Sequence, residues 1–152
     1  PTAFHQDAGD LEPDLAEAFR DSPSRLEPPP AGKLRLQQFV EVVDVYRIPT
    51  ATDLDKLQGI QALADRVLQQ RFEYRRPGLT LLLLRVFQRE TAWEIADLPA
   101  YAGCRSWVTL EAPLPTGGLT PVLSEAAFAS QVDAIRAGLA SFACGAPSQD
   151  RA

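Results

Sequence analysis

The stretch Leu79-Thr80-Leu81-Leu82-Leu83-Leu84-Arg85-Val86-Phe87 constrains the fold more than any other part of the chain. It is the one long apolar run, and in an extended backbone it puts apolar side chains on both faces. That pattern predicts a central strand over Leu79–Gln88, buried on both sides. Arg85 shares a face with Leu79, Leu81, Leu83 and Phe87. A guanidinium set into such a face needs a partner, because an unpaired buried charge is strongly destabilising.

Asp44 makes the same demand in a second strand, predicted over Leu34–Ile48. Its even positions, from Leu34 and Leu36 through Val40 and Val42 to Tyr46 and Ile48, form a mostly apolar face with Asp44 set into it. Phe39, Val43 and Val45 half-cover the opposite face. Fifteen residues is long for one strand, so a bend or bulge is expected midway. The economical expectation is that the two strands are neighbours and that Asp44 and Arg85 form a structural ion pair. The alternative is an anion site in which Arg85 holds a phosphate or carboxylate.

Pro49 stops the first strand. Thr50 or Thr52 is placed to cap a helix with Asp53 and Asp55 in its first turn. Leu54, Leu57, Ile60, Ala64, Val67, Leu68 and Phe72 then follow helical spacing. Gly59 weakens that helix by ~1 kcal/mol. Arg75-Arg76-Pro77-Gly78 reads as the turn into the central strand. After it come a short hairpin partner at Trp93–Ile95, a loop at Asp97–Cys104 and a short strand at Arg105–Leu110. A turn region spans Pro113–Pro121. Ser124 caps a final helix with Glu125 in its first turn and a stripe of Phe128, Val132, Ile135, Leu139 and Phe142. The expected fold is α+β: a mixed or antiparallel sheet of about four to five strands with two main helices. A curved, barrel-like sheet is the second choice.

A chain of 152 residues with 45% hydrophobic and 23% charged residues suits one globular domain. We place it at 1–144, with 7–33 as a variable, proline-rich loop or linker that carries a short helix at Leu15–Phe19. Residues 145–152 are read as a frayed tail. The chain opens on Pro1 and contains no methionine, which suggests a missing start. Net charge is −5, which argues against a strongly basic nucleic-acid surface but not against a local patch. No window reaches the ~18 apolar residues of a membrane span. Two cysteines, Cys104 and Cys144, are too few for a disulfide framework, and a cytoplasmic location is the expectation.

Two clusters are candidates for chemistry. Tyr101-Ala102-Gly103-Cys104-Arg105-Ser106-Trp107 packs Tyr, Cys, Arg, Ser and Trp into seven residues at a loop-to-strand transition, a usual place for ligand contacts. A cysteine nucleophile there needs a base, and His5 is the one histidine. The structural alternative has Tyr101 and Trp107 covering the core edge and Arg105 paired with an acid. The second cluster is Arg71, Phe72, Tyr74, Arg75, Arg76 and Arg85, a basic and aromatic group suited to nucleic-acid phosphates. Cations at a solvated helix end explain it equally well. No His/Cys spacing supplies a metal site, and no phosphate loop or nucleophile elbow is present, so no cofactor is expected.

Pro1-Thr2-Ala3-Phe4-His5-Gln6, Arg71-Phe72-Glu73-Tyr74, Leu82-Leu83-Leu84-Arg85-Val86-Phe87, Tyr101 to Val108, and Pro121-Val122-Leu123-Ser124 with Phe128 stand in that order. In these segments the chain resembles the bacterial family labelled domain of unknown function 1802, from Pro1 to about Leu139. The resemblance implies an earlier N-terminal segment with a Leu-Leu-Arg-Lys-Gly-Gly-like motif. It also implies a DNA-related accessory role, since some members are joined to a restriction-endonuclease-like nuclease domain.

The expectation is therefore a non-catalytic binding or accessory module, acting with nucleic acid or a nuclease domain in a restriction or defence setting. Its candidate ligand residues are His5, Asp44, Arg71, Tyr74, Arg85, Tyr101, Cys104, Arg105, Ser106 and Trp107. The alternatives are a small enzyme or nuclease-like domain with its site around Cys104 and Arg105, and an interaction protein that uses the final helix.

Overall fold

The computed structural model describes residues 8–13, 15–17, 29–103, 107–142 and 144–145. His5, Cys104, Arg105 and Ser106 lie outside the described residues.

Two long strands dominate. β1 spans Lys33–Ile48 and β2 spans Leu79–Ala96, paired antiparallel. β3, Leu119–Pro121, pairs with Phe87–Arg89 of β2. The two-residue β4, Cys144–Gly145, pairs with Tyr46 and Val45 on the far side of β1. The sheet order is β3-β2-β1-β4. The fold is thus α+β with an open antiparallel sheet. Among the described residues it has three strands and a two-residue edge pairing, fewer than the expected four to five, and no barrel closes. Two expected strands are absent from it. Trp93–Ile95 does not turn back as a hairpin partner but prolongs β2, because no turn residue interrupts Glu90–Trp93. Residues 107–110 are not in a strand. Trp107 and Val108 are exposed instead, and Leu119–Pro121 takes the neighbouring position beside β2.

The register of β1 decides which side chains meet the core. Ile48, Tyr46 and Asp44 stand opposite Leu79, Leu81 and Leu83. Directly opposed residues in an antiparallel ladder share a face. Between Val42 and Asp44 the register slips, and Val43 is the extra residue of a bulge. The bulge inverts the side-chain parity of β1. Beyond it, Val42 opposes Leu84 and Val40 opposes Val86, on the other face. The even positions of β1 therefore do not form one face, as the sequence suggested. A bulge was expected, but not this change of side.

The helix expected over Leu54–Phe72 is broken. Ala51–Leu57 forms a 3₁₀ helix, and helix α1 spans only Asp65–Glu73. Gly59 has φ +74°. That left-handed backbone cannot continue a right-handed helix, and glycine adopts it without the Cβ penalty. Helix α2, Glu125–Gly138, begins as expected: Ser124 Oγ accepts from the Ala127 backbone N–H at 3.3 Å. The core gathers Tyr46 and Ile48 of β1, Leu54 and Leu57, Phe72 of α1, and Leu139 and Phe142 after α2. Leu79, Leu81 and Ile135 pack around it. No helix among the described residues is long and apolar enough to cross a membrane.

Candidate functional site

Helix α2 lies across the sheet face that carries Asp44 and Arg85, held by an ion pair near each end. Near its C-terminus, Arg136 donates to Asp44 from Nε at 2.8 Å and from Nη2 at 3.2 Å. Tyr46 Oη adds a 3.3 Å hydrogen bond to the same carboxylate. These contacts, Arg136 foremost, hold the Asp44 carboxyl below its ordinary value of 3.8, against the opposing effect of burial. The same pairing raises Arg136. In its first turn, Glu125 accepts from Arg85.

The expected Asp44–Arg85 pair does not form. Register sets Arg85 opposite Glu41 and Asp44 opposite Leu83, and each of the two finds a partner on α2. The sequence held a signal for this: Glu125 and Arg136 are eleven residues apart, three helical turns, so they project from one side of the helix. Reversing the helix on the sheet would set Glu125 against Asp44 and Arg136 against Arg85. The two pairs therefore fix its direction as well as its position.

Arg85 is the better buried member of its pair. Its side chain is 11% exposed and that of Glu125 is 86% exposed. The guanidinium carbon lies 4.4 Å from the Phe128 ring centroid and 5.4 Å from that of Phe87. Arginine over two rings is a favourable, partly desolvated arrangement.

Beside it opens a cleft of about 360 Å³. Leu83, Leu84, Arg85 and Val86 line one wall; Phe128, Gln131, Val132 and Ile135 of α2 line the other, and Val122 and Leu123 close one end. Successive strand residues point to opposite faces. A cleft touched by four in a row therefore runs along the edge of the strand rather than over one face.

That edge is open. β3 covers β2 only at Phe87–Arg89, and the Val122 N–H donates to the Val86 carbonyl at 3.0 Å as the chain peels away into α2. Among the described residues, no strand pairs with Leu79–Arg85 on this side. Because the Val86 carbonyl points outward, the period of two turns the backbone N–H and C=O groups of Leu84, Leu82 and Thr80 to the same edge.

The other candidates fall elsewhere. Arg71 in the last turn of α1 and Tyr74, Arg75 and Arg76 in the turn after it are exposed, and Arg75 stacks 4.9 Å from the Tyr74 ring. Arg47 joins them across the sheet end, donating to Thr80 Oγ1 at 2.9 Å, with its Nη2 beside Gly78. Arg85 is not part of this cluster: six residues of strand put it about 20 Å away. The Tyr101 hydroxyl accepts from the Glu111 N–H at 3.0 Å, and its side chain lines a cavity of about 110 Å³ with Ile95, Leu98, Leu110 and Leu114. Trp107 does not cover the core edge; it is 76% exposed. The described residues hold no group of three or more His, Cys, Asp or Glu side chains arranged for a metal.

Val122, Leu123 and Gln131 of the cleft lining were missed by the sequence reading, as was Glu125 as the partner of Arg85. The first two gave a local hint, standing as an apolar pair between Pro121 and the Ser124 cap.

No curated protein and no solved structure matches the chain. The sequence model of one family matches residues 1–134, and the chain belongs to that family, described as Domain of unknown function (DUF1802).

Proposed function

We propose that the chain is a non-catalytic binding module that accepts an extended peptide segment along the open edge of β2. One observation carries this reading: four consecutive strand residues, Leu83 to Val86, share a cleft with the apolar side of α2. Backbone groups at the edge supply hydrogen bonds, and the cleft receives alternate side chains. This is the usual logic of strand addition. The apolar stripe of α2 faces the sheet across this cleft, so in this reading the helix supplies one wall and the strand edge supplies the hydrogen bonds.

The test is a titration of isotope-labelled protein with a capped octapeptide alternating Thr and Val. Expected amide shifts fall on Thr80, Leu82 and Leu84 and on Val122 to Val132. N-methylation of alternate peptide bonds in the probe abolishes binding in one register only. Shifts elsewhere, or indifference to N-methylation, would sink the reading.

A second reading, contact with nucleic-acid phosphates in the accessory role expected for a restriction or defence setting, is favoured by a different observation. Arg47, Arg71, Arg75 and Arg76 gather at one sheet end beside an exposed Tyr74, and none has a carboxylate partner among the described residues. Such a surface binds single strands by charge and stacking. Binding of an oligonucleotide at low salt should weaken as salt rises, and Arg71→Gln with Arg76→Gln should flatten that slope. No binding at low salt removes this reading.

A further inference from the structure

We infer that the β2-edge cleft selects a segment carrying a carboxylate, and that Glu125 is the resident carboxylate which the ligand displaces from Arg85. The inference rests on the peptide-binding reading above and names what that site recognises.

The two ion pairs of α2 differ in which partner is sunk into the protein. In Asp44–Arg136 the acid is the buried member: its side chain is 13% exposed and that of Arg136 is 47% exposed. Asp44 receives two bonds from the arginine and one from Tyr46, and neither Asp44 nor Arg136 lines the edge cleft. That pair is closed. In Arg85–Glu125 the arginine is the sunken member, and it forms part of the cleft wall. A guanidinium has five N–H donors in a rigid fork. Among the described residues, Glu125 is the one hydrogen-bond partner recorded for it, through Nη2. No described buried side-chain donor is left unsatisfied. The unused donors of Arg85 therefore reach open space.

The asymmetry makes exchange easy. Arg85, between two rings, is favoured by an anionic partner. Glu125 is largely in water already, so releasing it loses little solvation. It stays in the first turn of α2, where its charge still complements the helix dipole. A ligand carboxylate arriving with a strand that covers the cleft meets Arg85 in a drier site, where a charge-assisted and potentially bidentate bond is stronger. A neutral segment has to cover the existing pair instead. The carboxylate has two possible sources, an Asp or Glu side chain or a free C-terminus, and both present the same group to the fork.

Three octapeptide probes alternating Thr and Val separate the possibilities. One is capped at both ends with a single Gln, one is identical with Glu in place of Gln, and one keeps Gln but ends in a free carboxylate. Each Gln or Glu position is scanned along the peptide. Dissociation constants are measured by calorimetry on the full chain. On the unmodified protein a carboxylate probe should bind about ten-fold more tightly than the neutral one. E125Q removes the internal competitor and leaves Arg85 without its resident anion, so it should tighten the carboxylate probe several-fold and weaken the neutral probe. R85K, which keeps the charge but loses the planar fork, should narrow the preference. Because E125Q alters an exposed side chain, it decides the matter even where R85K does not fold. A gain for the Glu probe alone assigns a side chain, and a gain for the free-ended probe alone assigns a C-terminus. Equal affinity of all three probes, with shifts still on the β2 edge, overturns this inference and leaves the peptide reading standing. Binding of none overturns both.

Discussion

Two faces of the same β1–β2 ladder are built from similar residues and meet different ends. One face pairs Ile48 with Leu79 and Tyr46 with Leu81, and the core gathers on it. The other pairs Val45 with Leu82, Val42 with Leu84 and Val40 with Val86. None of those six belongs to the core cluster, and Val40 and Leu84 are 42% and 37% exposed. Polar pairs bound this second face, Arg47 with Thr80 at one end and Gln38 with Gln88 at the other. Side-chain chemistry alone does not tell the faces apart. What does is the bulge at Val43, which sends Tyr46 and Ile48 toward the helices and Val40 and Val42 away from them. The exposed apolar face also runs into the cleft, because Leu84 and Val86 belong to both.

The sharpest way to break this contrast is to add a residue past the bulge. Inserting one alanine between Asp44 and Val45 leaves Asp44 opposite Leu83 and carries Tyr46 and Ile48 to the opposite face. Tyr46 and Ile48 are 3% and 0% exposed, so the core loses two of its central members together. The expected loss is more than about 4 kcal/mol, enough to abolish cooperative urea unfolding in a domain of ordinary stability. A cooperative transition with unchanged midpoint would mean that the strand takes up the added residue in a wider bulge and that the core does not depend on the parity of β1.

A milder comparison truncates one residue on each face. Ile48→Ala leaves a cavity in packed surroundings and should destabilise by about 3 kcal/mol. Leu84→Ala removes side-chain surface that solvent already reaches, without an enclosed cavity, and should cost about 1 kcal/mol. Urea midpoints at constant slope give both values. Equal losses would show that the second face is as tightly packed as the first. If Leu84→Ala weakens peptide binding more than its small loss of stability, the contrast extends to function.

Much of the framework is legible in the sequence because its causes are local. The run Leu79–Phe87, the stop at Pro49, the Ser124 cap and the stripe from Phe128 to Phe142 each depend on a few neighbouring residues. Three features escaped for physical reasons. Val42 and Val43 are both apolar, so the pattern gives no sign of which residue is looped out. Gly59 reads as a weak helix position, whereas its left-handed φ ends the helix. The partners of Asp44 and Arg85 lie on α2, 92 and 40 residues away in sequence, where only the tertiary arrangement selects them. The site was half visible. Arg85 and Phe128 stood out by type, but an open strand edge is defined by what does not pair with it, and no residue pattern spells that out.

The smallest expected effect concerns Asp44, which the bulge turns toward α2. Its carboxyl is held below 3.8, chiefly by the hydrogen bonds from Arg136, with Tyr46 adding to them. Between the folded and unfolded values, the unfolded chain binds more protons than the folded one, so stability rises with pH across that window. The contribution is complete above the ordinary value and is lost as pH falls through the folded value. Asp53 and Glu94 are depressed as well, by Lys56 with Thr50 and by Arg35 with Lys33, so the acid limb of the stability curve belongs to all three. Asp44→Asn removes one share. It should cost about 1 kcal/mol near pH 6, with the half-exposed Arg136 partner limiting the effect. The difference from the unmodified protein should shrink toward zero as pH falls through the lowered folded value of Asp44, where its carboxyl is protonated. Urea unfolding at a series of pH values measures that difference directly. A gap that stays constant down to acid pH would mean that the Asp44 side chain acts through shape and neutral hydrogen bonding, and that its charge does not help hold α2 on the packed face.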